Sequence, residues 1–267
     1  MSGGAIKMKE LAFLAAKDAG RILMKNFGKK GKVRMKLEGE LVTDSDVKSE
    51  ERIIDLIREK YPDHSILAEE HGFLKGNPDY TWIIDPMDGT HNFINKLPLF
   101  GVSIALEHKK EVVLGVVYLP CFDDLYVAEK GKGAYLNGAR ITVSKKTLKE
   151  SLLLYESQFR KTGKLAMMPF SVLTSSVSAV RIFGSASVSL TLIASGKAEA
   201  YITYNCKPVD IAGGSVILEE AGGIVTGLKG TSWNPYMEKV VATNGKIHEE
   251  VLKILRRTHP KSSDREI

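Results

Sequence analysis

Two carboxylates three residues apart, Asp85 and Asp88, close an apolar run and are followed at once by Gly89 and Thr90. In full the stretch reads Trp82-Ile83-Ile84-Asp85-Pro86-Met87-Asp88-Gly89-Thr90-His91-Asn92-Phe93. Acids this close suggest bound cations, and a glycine at a helix start suggests a phosphate beside them. Trp82, Ile83 and Ile84 suit a buried strand, and Pro86 cannot extend a sheet ladder, so the strand is expected to stop at Asp85 with its carboxylate at the edge. Asp88, Gly89 and Thr90 then read as a turn opening a short helix, whose free N–H groups and glycine form a ready phosphate site. Asp-Pro and Asp-Gly are also ordinary turn dipeptides, and alone they would be read as that.

Other acids stand where they could join this site. Thr43-Asp44-Ser45-Asp46 precedes a helix to about Lys60, with Val47, Ile53, Ile54 and Ile57 on its inner side. Any of the four polar residues could cap that helix, and capping alone would account for the acids. Ser65 to Gly72 reads as a short strand ending in Glu69 and Glu70; adjacent strand residues point to opposite faces, so only one of the two can join Asp85. Pro208-Val209-Asp210-Ile211-Ala212-Gly213-Gly214 opens a helix running to Glu219 or Glu220, and Asp210 by itself reads as its N-cap. No histidine or cysteine set competes: Cys121 and Cys206 lack metal-ligand spacing, and no His pair has zinc spacing. His91, beside the acids, reads as structural or exposed.

The spacing excludes one kind of phosphatase and brings up another. The haloacid dehalogenase type carries Asp-x-Asp-Gly-Thr, whereas Asp85 and Asp88 have one residue more between them. The stretch instead resembles the Asp-Pro-hydrophobic-Asp-Gly-Thr signature of the inositol monophosphatase family, which belongs with fructose-1,6-bisphosphatase among magnesium-dependent, lithium-sensitive phosphatases. Leu41-Val42-Thr43 resembles the family's Leu-Val-Thr, which places at Asp46 the Asp that pairs with the signature threonine. The family's Trp-Asp-x-Ala-Ala-Gly matches Asp210, Ala212 and Gly213-Gly214, with Val209 in place of the tryptophan.

The resemblance implies two Mg²⁺ sites, with Mn²⁺ as an alternative occupant since every donor is an oxygen. Glu69, Asp85 and the main-chain carbonyl of Met87 would hold one cation; Asp85, Asp88 and Asp210 would hold the second; Glu70 could serve an outer shell or a third. Thr90 and Asp46 would orient and deprotonate the attacking water, with Glu69 also in the catalytic set. Backbone N–H groups of Gly89 and Thr90 would bind the phosphate, and Lys36 could approach it from a mobile loop. Gly184-Ser185-Ala186 resembles a segment lining the substrate pocket, with Ala186 the contact. Between Thr203 and Lys207 there is no acid of the kind animal inositol enzymes carry, and Lys207 could attract a second phosphate. With Arg181-Ile182-Phe183-Gly184, this looks like archaeal members acting on both inositol 1-phosphate and fructose 1,6-bisphosphate.

The elements that must position these residues follow the same order. Residues 7–27 have helical spacing, with Gly28 a stop; a Lys/Gly-rich loop or loose hairpin extends to about Glu40. Leu99 to Leu106, Val112 to Tyr118 and Leu125 to Glu129 predict an antiparallel meander, and Asn137-Gly138 a hairpin. From about residue 150 strands and helices alternate. The expected fold is α+β, a layered αβαβα sugar-phosphatase fold with an antiparallel-sheet half over 1–147 and an α/β half over 148–267. The 267 residues suffice for a sizeable core, and the apolar and charged fractions, 43% and 26%, are those of a soluble protein. No apolar stretch approaches a membrane span, charges interrupt the N-terminal apolar residues, and two cysteines suit a reducing compartment, so a cytoplasmic protein is expected.

The expected partner is a small phosphate ester, with neither membrane nor nucleic acid, and a homodimer is the family expectation. The net charge of +6 gathers around Lys25 to Lys36 and in the tail from Arg256, with Phe27 the one aromatic residue among them, too few to interleave for base stacking. Two rival functions remain: a phosphatase of 3′-phosphoadenosine 5′-phosphate, and a family member acting mainly on RNA or the transcription machinery.

Overall fold

The computed structural model describes residues 2–29, 33–35, 41–156 and 158–258. Lys36 and the tail beyond Thr258, both singled out in the sequence, lie outside them. Helix α1 (Ser2–Asn26) buries Leu11, Ala12, Ala15, Ala16, Ala19 and Leu23, a stripe at helical spacing, and ends before Gly28 at φ +80°. Strands β1 (Val33–Met35) and β2 (Leu41–Thr43) pair antiparallel. Helix α2 (Asp44–Lys60) lies beside α1.

An eight-stranded sheet follows: β3 (His64–Ala68), β4 (Gly72–Leu74), β5 (Asn77–Asp88), β6 (Gly101–His108), β7 (Glu111–Leu119), β8 (Asp124–Glu129), β9 (Ala134–Leu136) and β10 (Ala139–Ile141), in the order β10-β9-β8-β7-β6-β5-β3-β4. From β5 to β10 it is the antiparallel meander that the alternation predicts, and only β3 runs parallel to β5. The β9–β10 turn holds Asn137 and Gly138 at φ +49° and +83°, the left-handed pair such a two-residue hairpin demands. Short helix α3 (Thr90–Ile94) leaves the end of β5.

After a 3-10 turn at Leu148–Glu150, a five-stranded sheet of order β12-β11-β13-β15-β14 is built from β11 (Leu152–Tyr155), β12 (Ala179–Arg181), β13 (Ala200–Thr203), β14 (Ile224–Gly227) and β15 (Val240–Thr243). Helices α4 (Phe159–Thr174), α5 (Ala186–Ala194), α6 (Pro208–Glu220) and α7 (His248–Thr258) alternate with these strands. Buried apolar clusters divide the layers. Helices α1 and α2 pack on one face of the large sheet; α5 and α6 fill the space between the two sheets; α4 and α7 cover the outer face of the small one. This is the αβαβα layering expected of the sequence.

The approach of α6 to the large sheet depends on two glycines. A Cβ at Gly115 of β7 would lie 2.4 Å from the Gly213 carbonyl oxygen and 2.4 Å from Val216 Cγ1, and one at Gly213 would lie 2.7 Å from Ser103 Oγ. Only with hydrogen at both positions does the helix carrying Asp210 sit this close to the strands carrying the signature.

Candidate active site

One expectation is corrected at the centre of the site. β5 does not stop at Asp85 but runs through Pro86 to Asp88. The ladder to β6 slips there: Asp85 pairs with Ser103 and Asp88 with Gly101, three steps along one strand against two along the other. Pro86, which has no N–H to give, falls in this bulge, where none is required. The bulge turns both acids toward one cleft while the Met87 side chain stays in the core, 1% exposed. Gly89 then caps α3 with φ +99°, and a Cβ there would lie 2.8 Å from the Leu99 carbonyl oxygen.

The cleft has a volume of about 620 Å³, and Glu69, Asp85, Met87, Asp88, Gly89, Thr90, Ala186, Lys207 and Asp210 all line it. Asp46 stands behind it, fully buried in the first turn of α2. Both meanings of this acid coexist. Its Oδ2 accepts from Thr43 N at 2.8 Å and Thr43 Oγ1 at 2.6 Å, closing a capping box, while its Oδ1 lies 3.2 Å from Thr90 Oγ1. The Thr90 hydroxyl is also 3.2 Å from the Met87 carbonyl oxygen, so its single proton is shared between two acceptors. Burial pushes the Asp46 carboxyl up to about 7, against the Thr43 hydrogen bonds that lower it.

Each of the three inner acids is held by protein donors through one oxygen. Asp85 Oδ1 accepts from Met87 N at 2.9 Å; Asp88 Oδ2 accepts from Ser185 Oγ at 2.7 Å and Ser187 N at 2.6 Å; Asp210 Oδ2 accepts from Lys207 N at 2.7 Å. Ser187 is not read from the sequence, and Ser185 enters that reading only within the Gly184-Ser185-Ala186 segment, where Ala186 is the expected contact. Ser185 caps α5, accepting from Val188 N at 3.2 Å, and nothing local signals that its hydroxyl also reaches Asp88. Glu69 and Glu70 form a turn after β3 rather than its last residues, and only Glu69 reaches the cleft. Lys207 Nζ lies 4.0 Å from Glu69 Oε1. Val209, standing where the family has tryptophan, is buried beside Ile83, Ala105 and Val216 and does not line the cleft.

Burial and mutual repulsion raise these acids. The Asp85 carboxyl is pushed well above the usual range by burial and then by the charges of Glu69, Asp88 and Asp210. Burial raises Asp88 as well, and it raises Asp210 to about 8, with the Asp88 charge next in size. Carboxylates lining one cleft offer the hard oxygen donors that a magnesium-type cation takes one or two at a time, and cation charge would offset the repulsion. Among the described residues, no three acidic, histidine or cysteine side chains are gathered tightly enough to share one ion in this arrangement. From the other side, Glu156, Gln158, Arg160, Lys161 and Asn205, none of them read from the sequence as site residues, complete the wall.

Layered αβαβα architecture with an acidic cleft at a strand bulge defines a phosphatase of the sugar-phosphatase type. The sequence profile of the inositol monophosphatase family matches residues 6–259. The fructose-1,6-bisphosphatase/inositol-1-monophosphatase of Aquifex aeolicus is 38% identical over 94% of this chain and 96% of its own length. The Nus factor SuhB of Pasteurella multocida is 36% identical over 92% of this chain and 94% of its own. The crystal structure of extragenic suppressor protein suhB from Bartonella henselae superposes with a TM-score of 0.91 at 30% identity, covering 94% of this chain and 99% of that one. The chain belongs to the inositol monophosphatase family, and it is an enzyme of the phosphatase class.

Proposed function

We propose that the protein is a Mg²⁺-dependent phosphomonoesterase acting on inositol 1-phosphate and fructose 1,6-bisphosphate. The observation that carries this reading is the pairing of Thr90, which lines the carboxylate-rich cleft, with the buried Asp46 behind it. Glu69, Asp85 and the Met87 carbonyl would hold one cation and Asp85, Asp88 and Asp210 a second, with Glu70 available to a third and Mn²⁺ able to replace Mg²⁺. The cations supply Lewis-acid polarisation of the ester and neutralise charge on the leaving oxygen. Thr90 positions a water for in-line attack, and Asp46 receives the proton that Thr90 relays. The N–H groups of Gly89 and Thr90 face the phosphate oxygens. Ala186 contacts the sugar or inositol ring, and Lys207 attracts a second phosphate where the substrate has one. Family membership adds lithium sensitivity, a homodimer and a cytoplasmic setting as expectations.

The test is phosphate release from the two substrates side by side across a Mg²⁺ titration with a chelator control. Mg²⁺-dependent release from either supports the chemistry, and the ratio between them measures what Lys207 contributes. Asp88→Asn and Asp210→Asn should each abolish release while the protein stays folded; near-wild-type turnover in either overturns the ligand set. A second reading is favoured by the name of the Pasteurella relative, a Nus factor. RNA binding at physiological salt that survives Asp88→Asn, without phosphate release from any ester including 3′-phosphoadenosine 5′-phosphate, would establish that role instead.

A further inference from the structure

Helix α2 carries two fully buried carboxylates one turn apart, Asp46 and Glu50, on the same face. Asp46 reaches the signature turn through Thr90. Glu50 reaches the other acidic turn: Glu70 N donates to its Oε2 at 2.9 Å and to its Oε1 at 3.1 Å, and Oε1 also accepts from His71 N at 2.8 Å and lies 2.7 Å from His71 Nδ1. Helix capping cannot explain Glu50, which sits in the second turn, past the last N–H group that lacks an intrahelical partner. Nor does it meet substrate, because it does not line the cleft. A carboxylate buried at this cost is kept only where donors satisfy it, and here the donors are the two residues immediately after Glu69. The β3–β4 ladder closes this turn by setting Ala68 opposite Gly72, which stands at φ +69°, and Glu50 binds the backbone of the segment between them, the one that carries Glu69.

We propose that Glu50 is a positioning residue for Glu69, and that α2 is a rack whose two acids register the turns carrying Glu69 and Thr90 against each other. The inference rests on the reading of Glu69 as a cation ligand. In Glu50→Gln the remaining oxygen can keep the Oε1 contacts, but the amide that replaces Oε2 faces the Glu70 N–H donor to donor and the charge is gone, so the grip on the turn is weakened without loss of volume. The expected result is Mn²⁺ binding, read from the spin-resonance signal of the free ion, about 10-fold weaker, with the Mg²⁺ half-saturation of turnover shifted alike and the maximal rate largely retained. His71→Ala, which leaves both backbone bonds intact, should shift Mn²⁺ binding in the same direction by about 5-fold, and it serves where Glu50→Gln fails to fold.

Unchanged Mn²⁺ affinity in a folded Glu50→Gln, or in His71→Ala where the first is unfolded, overturns the proposal, even if the melting temperature falls. Glu69→Gln is made in parallel. If it weakens Mn²⁺ binding while the Glu50 and His71 variants do not, the rack alone is wrong. If Glu69→Gln leaves binding unmoved, the ligand assignment itself fails.

Discussion

At the scale of single residues, the signals for folding and for chemistry fall on the same atoms. Asp46 at a helix start is sufficient as a cap, and the sequence offers no way to see that one oxygen caps while the other faces Thr90, 44 positions away in the chain. The division has a kinetic consequence. If Thr90 positions water and passes its proton to Asp46, Thr90→Ala should lower the maximal rate by about 10²-fold or more while the Michaelis constant moves little, and Thr90→Ser should restore most of it. A change confined to the Michaelis constant would remove Thr90 from the chemistry. The pH profile carries the sign: only ionised Asp46 can accept a proton, so turnover is lost as pH falls through about 7, where burial holds this carboxyl. Cations offsetting the nearby Glu69 and Glu70 charges would move that limb lower, never higher.

Elements explain what the periodicity could not. The apolar run from Trp82 and the meander after it were legible because buried strands need those side chains, but Pro86 read as a strand end and was instead the bulged residue. A bulge is a property of two strands, and one strand's sequence does not contain its partner's register. Gly115 is the same lesson one layer out. In the sequence it is a small residue within a strand; in the fold it is where β7 meets the backbone of α6. Gly115→Ala must push α6 away from the sheet, costing about 1–3 kcal/mol in urea unfolding, as overpacking does. Because α6 begins with the turn that holds Asp210, the same substitution should raise the Mg²⁺ concentration needed for half-maximal turnover. Lower stability with an unaltered Mg²⁺ requirement would mean that α6 does not set the position of Asp210.

For the whole molecule, the acids that make the site also oppose the fold in the absence of cations. Asp46 and Asp210 are held near 7 and 8, and Asp85 and Asp88 are raised too, all above their unfolded values. Acids raised in the folded state contribute stability that is complete below the unfolded value and lost as pH rises through the folded one. His64 and His248 work the other way: burial lowers both, so their contribution is lost only as pH falls below the ordinary histidine range. Between pH 6.5 and 8.5 the carboxylates therefore dominate, and the metal-free protein should lose about 3 °C or more of melting temperature across that interval. If Mg²⁺ binds the ionised cluster as proposed, the gap between melting in Mg²⁺ and in chelator should widen as pH rises. Scanning calorimetry at both pH values, with and without chelator, decides it. A metal-free melting temperature that is flat or rising over this interval would mean that the four acids do not meet as one electrostatic unit. The layers that bring Asp85, Asp88 and Asp210 together from distant parts of the chain would then be positioning them for something other than a shared cation.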